Sequence, residues 1–321
     1  MCHRGCAFFA MILLWGIPSD TPLRAVERAL QGEGISILFL DQRAAEHTTL
    51  RLKVDERVSG ALTVFDQTIE LEDIRAVYAR PYEPANLGIA AGSPLYQHVA
   101  ALHEAFCVWL DITPAFVPNR PRAMTSNASK PYQAALIEAA GLRTPETLLT
   151  TDREAAAVFR AHHGEVMYKS ISAVRSIVSR IRPEDEDRMR DVKWCPTQFQ
   201  RRIGGFEVRV HLVDGEVFAS RIISDADDYR YAEFSGQSLD IVAFELPAQI
   251  ADRCRHVATA LGYAIAGFDL RCEAGEWICF EVNPSPSFTY YEERTGQPIS
   301  RAVARLLANA VRNNRGLVPN G

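Results

Sequence analysis

The stretch from Ala264 to Phe288 constrains this chain most, because it carries two hydrophobic alternations joined by a turn. Phe268, Leu270 and Cys272 alternate with Gly267, Asp269 and Arg271. Ile278, Phe280 and Val282 alternate with Trp277, Cys279, Glu281 and Asn283. Strand side chains point to opposite faces with period two, so each segment has an apolar face, and Asp269, Glu281 and Asn283 lie on the other. For Leu270 and Phe280 to share the core face of an antiparallel pair, the turn must hold an odd number of residues. A three-residue turn, Ala274 to Glu276, sets Asp269 opposite Glu281, with Cβ atoms roughly 5 Å apart. Two carboxylates that close repel each other unless a cation sits between them. Asn283 adds an amide oxygen. Oxygen donors without His or Cys suit a hard cation, Mg2+ before Mn2+ or Ca2+. The alternation equally describes a solvated outer face. The rigid Asn283-Pro284-Ser285-Pro286-Ser287 that follows fixes the backbone and favours a ligand site.

A chain of 321 residues implies two or three structural units. Its net charge of −5 argues against a dominant nucleic-acid surface. No apolar run approaches the ~20 residues of a membrane span. The seven cysteines are an odd set without CxxC, which points to a reduced, cytosolic compartment. Cys2-His3-Cys6 has no second ligand pair to complete a metal site. No GxGxxG follows the first strand, so nothing supports a dinucleotide site.

In chain order, Met11–Ile17, a helix from Pro22 to Leu30 capped by Asp20, and Ile35–Leu40 read as β-α-β, the start of a parallel sheet. Short strands follow at 48–54, 61–65 and 68–71, then Ile74–Ala79. Ser93 to Leu110 is a helix with Leu95, Val99, Leu102, Phe106 and Trp109 at helical spacing. A boundary falls near Pro118, giving units at 1–118, 119–195 and 196–321. Lys130 lies in the first turn of a helix from Ser129 to Ala140, where a bound anion would suit it. Lys169 ends the buried strand Val166–Lys169. Phe206–Val213 and Val217–Ile223 form a hairpin around Asp214-Gly215, with Arg209 and His211 on one face of its first strand and Arg221 on the second strand. Asp225–Ser238 is a long polar loop carrying Tyr229, Arg230 and Tyr231, and the region closes with helices at 247–261, 292–296 and 299–309.

These pieces, from about Asn119 to Ala310, resemble the ATP-grasp ligases, and among them the ribosomal-protein glutamate ligases and the microviridin-type peptide ligases. The resemblance implies an α/β (α+β grasp) fold, in which an N-terminal β-α-β pre-ATP-grasp domain precedes a two-part grasp. SNASKPYQAALIEAAGLRTPET and VMYKS resemble the segments of the two ATP lysines, Lys130 and Lys169. FQRRIGGFEVRV resembles the hinge between the grasping parts, which implies that Gln200 and the backbone from Arg201 to Ile203 hold adenine and that Glu207 takes the ribose hydroxyls. AGFDL and FEVNPSPSF are similar to the metal sequence, with Asp269, Glu281 and Asn283 as Mg2+ ligands. Arg209 and Arg221 match arginines near the phosphates, and YYEERTGQPI the stretch that helps form the acceptor side. Two departures stand out: Ile171–Ile177 has no glycine, and Arg201 replaces an acidic residue.

The implied chemistry is ATP-dependent activation of a carboxylate as an acyl phosphate, followed by attack of an amine or hydroxyl. A peptide or amino acid is the implied substrate, ATP and Mg2+ (or Mn2+) are the cofactors, and a homo-oligomer is left open. A grasp-fold module that binds ATP without catalysis is the alternative.

Overall fold

The computed structural model describes residues 10–170, 179–224 and 238–313. Cys2-His3-Cys6, the glycine-free loop 171–177 and the Tyr229-Arg230-Tyr231 group lie outside the described residues.

The first segment runs β1 (Met11–Gly16), α1 (Thr21–Leu30), β2 (Ser36–Asp41), β3 (Thr48–Val54), β4 (Val58–Val64), β5 (Gln67–Glu70), β6 (Ile74–Ala79) and α2 (Pro94–Ile112). β1 is central in a parallel sheet of order β2-β1-β6, and β3-β4-β5 form a second, antiparallel sheet. Helix α1 starts where it does because the Asp20 carboxylate accepts from Leu23 N at 2.8 Å and Pro22 fills the first turn. Ser93 caps α2 in the same way, through Tyr96 N. The apolar stripe of α2, Phe106, Trp109 and Leu110, packs with Leu13, Trp15, Leu62 and Val77.

The second segment begins with a single helical turn, α3 (Pro121–Met124), followed by α4 (Lys130–Ala139), β7 (Thr147–Thr150), α5 (Arg153–His163), β8 (Val166–Ser170), β9 (Ser179–Arg180) and β10 (Thr197–Arg201). These strands form an antiparallel sheet of order β7-β10-β8-β9, one face of which packs Val166 and Phe199 on Ala156, Met189 and Val192. β11 (Phe206–Val213), β12 (Glu216–Ser224), β13 (Leu239–Phe244), α6 (Ala248–Leu261), β14 (Ile265–Glu273) and β15 (Glu276–Asn283) follow. Their antiparallel sheet has the order β13-β12-β11-β14-β15. α7 (Thr289–Thr295) and α8 (Ile299–Arg312) close the described chain.

Strand β13 is not anticipated by the sequence reading. It is an edge strand in which Ile241 alone is buried, so its hydrophobic alternation is weak.

Two compact units result. One holds the chain up to Ala123 together with 287–293 and the residues from Pro298 onward. The other holds Met124–Pro286 with Arg294–Gln297. In the first unit α8 returns to pack on α1, β1 and β6. Every residue singled out above for nucleotide or metal lies in the second unit.

Candidate functional site

The pairing of Asp269 with Glu281 is present, but it is reached differently from the sequence expectation. The turn holds two residues, Ala274 and Gly275, both at positive φ, and pairs Glu273 with Glu276. Regular pairing from that turn would set Asp269 against Phe280. A bulge at Phe280 shifts the register, so that Leu270 faces Cys279 and Asp269 faces Glu281. Cys279, not Phe280, therefore enters the core, fully buried beside Leu270. The bulge reconciles a buried Cys279 with an outward Glu281, two residues that a regular strand would put on one face.

Cross-strand rows then build one polar face. Arg209, Asp269 and Glu281 form one row, His211, Gly267 and Asn283 the next, and Glu207 with Arg271 a third. Arg209 Nη1 is ion-paired with Asp269 Oδ1. Gly267 is small because Arg209 passes over it: a Cβ there would sit 2.4 Å from Arg209 Nη2 and 2.7 Å from Pro286 Cβ. Asn283 Oδ1 accepts from Ser285 N at 2.8 Å, which orients the amide at the head of the Pro-Ser turn.

Lys130 reaches this face from α4, with Nζ 2.8 Å from Glu281 Oε2. Gln133, one turn further along the same helix face, holds α4 in place. Its amide donates to Val282 O at 2.8 Å and accepts from Val282 N at 3.1 Å, closing the outer edge of β15. Sequence reasoning missed Gln133, although its spacing of three from Lys130 is the signal that could have found it. Burial raises the pKa of Glu281, but Lys130, Arg209 and Lys169 outweigh it and hold the carboxyl below its ordinary range.

Lys169 lies on β8 opposite Gln198 of β10, and Met167 lies opposite Gln200. These four share one face of their sheet, the face away from Phe199 and Tyr168. Gln200 donates to Thr147 Oγ1 at 2.9 Å. Gln198 is 3% exposed, and among the described residues its Oε1 has no hydrogen-bond partner.

Between β10 and β11, the residues that the sequence reads as a hinge dock on the end of β14. Glu273 accepts from Gly204 N at 2.5 Å and pairs with Arg201 Nη1 at 2.9 Å, contacts that pull its pKa down. Gly205 has φ +79°, and a Cβ on it would lie 1.8 Å from Cys272 O. Ile203 O accepts from Arg271 Nη1 at 2.9 Å.

Arg221 is not brought to this face. It pairs with Val208, on the side opposite Arg209, is exposed, and lies 4.6 Å from the centre of the Phe206 ring. The two-residue Asp214-Gly215 turn, which pairs Val213 with Glu216, already dictates that placement. The other predicted site residues, Lys130, Lys169, Gln200, Arg201, Ile203, Glu207, Arg209, Asp269, Glu281 and Asn283, lie in the second unit, as Arg221 does.

No protein-family model matches the chain, and no curated protein matches it. Solved structures do. The ATP-grasp ligase PsnB, complexed with a phosphomimetic variant of its minimal precursor, Mg and ADP, is 26% identical. That likeness covers 94% of this chain and 99% of PsnB, with a TM-score of 0.80. This chain is an ATP-grasp protein. The macrocyclase MdnC of Microcystis aeruginosa MRC, bound with its precursor peptide, shares the fold at 22% identity and TM-score 0.77, over 93% of this chain and 99% of MdnC. A RiPP-associated ATP-grasp ligase of Chryseobacterium gregarium, in complex with ADP and a leader and core peptide, shares it at 19% identity and TM-score 0.79, over 93% and 96%. The ATP-grasp likeness thus extends over more than nine tenths of this chain.

Among the described residues no three His, Cys, Asp or Glu come together to hold a metal. The ATP-grasp face offers two carboxylates and an amide instead. That donor set suits Mg2+, which is bound through one or two carboxylates with substrate phosphates completing the shell. The residues fit the ion. No described helix is long and apolar enough to cross a membrane.

Proposed function

We propose that this chain is an ATP-dependent ligase that joins a carboxylate to an amine or hydroxyl on a peptide, through an acyl phosphate. The observation that carries the reading is the Arg209–Asp269–Glu281–Lys130 cluster beside Asn283, in a chain that matches a peptide-bound, Mg- and ADP-bound ligase over nearly its full length. Asp269, Glu281 and Asn283 would hold Mg2+, which would supply positive charge to the β- and γ-phosphates.

Gln200 and the Arg201–Ile203 backbone take adenine, and Glu207 takes the ribose hydroxyls. Lys130, Lys169 and Arg209 place positive charge around the phosphates. The peptide carboxylate attacks the γ-phosphorus. An O–P bond forms, the β–γ bridge breaks, and ADP leaves. The nucleophile then attacks the acyl carbon, and phosphate and a proton are released. Positioning and electrostatics suffice for both steps, so no nucleophilic side chain of the protein is needed.

The test incubates the protein with Mg-ATP and a panel of amino acids and acidic peptides, following ADP, phosphate and product mass together. The expected result is ADP release that one peptide stimulates, with a product lighter by one water per bond formed. Nucleotide binding without release for every member of the panel would favour a non-catalytic module.

A further inference from the structure

We infer that Arg271 is a positioning residue for nucleotide binding, one that braces Glu207 on the Ile203 carbonyl and sets it in register for the ribose. The inference rests on the nucleotide reading above and assigns a role to a residue that reading leaves idle.

Arg271 stands two residues from Asp269 on the same face of β14, directly opposite Glu207 on β11. Nη2 donates to Glu207 Oε2 at 2.8 Å, and Nη1 donates to Ile203 O at 2.9 Å. One planar group therefore ties the strand carboxylate to the hinge backbone. A lysine, a single point donor, cannot make both contacts in fixed geometry. The ring of Phe280 lies 5.6 Å from the guanidinium carbon, so the bulge that turns Glu281 outward also gives Arg271 a wall.

The arrangement is poorly explained as a stability device. Arg271 Nε is buried and, among the described residues, has no hydrogen-bond partner. An unmet charged donor is costly, and an apolar residue against Phe280 would avoid that cost. A carboxylate fixed in its plane by a guanidinium is, however, a good acceptor for a vicinal diol and a poor neighbour for a phosphate. The ribose is the part of a nucleotide that this pair suits. Removing the Arg271 clamp takes away the contact that fixes the plane of Glu207, so the ribose loses its oriented acceptor while the phosphate-binding groups are untouched.

The experiment is calorimetric titration of the full chain with Mg-ADP and with Mg-2′,3′-dideoxy-ADP. Wild type, Arg271→Gln, Arg271→Lys, Glu207→Gln and the double variant Arg271→Gln/Glu207→Gln are compared. Wild type is expected to prefer ADP by about tenfold, the weight of a hydrogen bond to a charged group. Arg271→Gln is expected to bind ADP about tenfold more weakly and dideoxy-ADP within a factor of about two, erasing the preference. Arg271→Lys should recover only part of it, and the double variant should be no weaker than Glu207→Gln. An equal loss for both nucleotides in Arg271→Gln, or an unchanged preference, would overturn the role of Arg271 while leaving nucleotide binding in place. Wild type that binds neither nucleotide overturns the nucleotide reading, and this inference with it. If Arg271→Gln fails to fold, Arg271→Lys decides: full preference there sinks the two-pronged argument.

Discussion

Gly267 gives Arg209 the space it occupies. A methyl at Gly267 would meet Arg209 Nη2 at 2.4 Å and Cζ at 2.9 Å, and Pro286 closes the remaining side. Arg209 is 6% exposed and ion-paired with Asp269, so it has little room to move elsewhere. Gly267→Ala is expected to displace the guanidinium and lower turnover about a hundredfold, the scale of a 1 Å misplacement. Initial rates of ADP release check this. The double variant with Arg209→Ala should be no slower than Arg209→Ala alone, and additive losses would show that Gly267 acts through something else.

Glu281→Gln removes one of the two carboxylates proposed to hold the metal while keeping size and polarity. Turnover should fall below detection. The circular dichroism spectrum should stay close to wild type, because the strand register rests on Cys279, Val282 and the Gln133 clasp, and the unfolding midpoint should fall no further than it does on loss of the Lys130 partner. Retained turnover would remove Glu281 from the metal set.

Lys130 and Glu281 make a pH-dependent contribution to stability. The folded pKa of Glu281 lies below its ordinary value of 4.5, so the contribution is present above that value and is lost as pH falls through the folded one. Lys130→Met removes the nearest cation and leaves burial to push the carboxyl up. Urea midpoints of the two proteins without nucleotide should therefore differ most at neutral pH and converge in acid. A difference that stays constant from neutral to acid would mean that Lys130 stabilises through packing of its stem.

Gly205→Ala tests the hinge. The added methyl collides with the Cys272 carbonyl and sits on a backbone with φ +79°, a conformation that costs a non-glycine residue about 1–3 kcal/mol. We expect a lower unfolding midpoint together with a raised KM for ATP, because the collision lifts Ile203 and Gly204 from β14. Thermal melts and ATP-dependent rates measure both. An unchanged KM would separate hinge docking from nucleotide binding.

Much of the site is local and therefore legible in the sequence. Period-two alternation alone put Asp269 on the polar face of β14, and Asp20 announced its helix through cap chemistry that involves only the next few residues. The Asp214-Gly215 turn even contained the information that Arg221 faces away from Arg209, since a two-residue turn fixes every pair in its hairpin. The Asp269–Glu281 pairing was expected for the wrong local reason: the turn is one residue shorter, and the bulge at Phe280 restores the pair.

What the sequence determined by itself was the set of oxygen and nitrogen donors, the strands and helices that carry them, and the faces set by their periods. Tertiary structure alone decided that Cys279 rather than Phe280 is buried, that Gln133 clasps the edge of β15, and that the hinge lies on Arg271, Cys272 and Glu273. Those contacts join residues about 70 to 150 positions apart in the chain. Side-chain periodicity reports which way a residue points along its own strand. Which distant backbone group meets it is settled only when sheets and helices pack and every buried donor and acceptor seeks a partner.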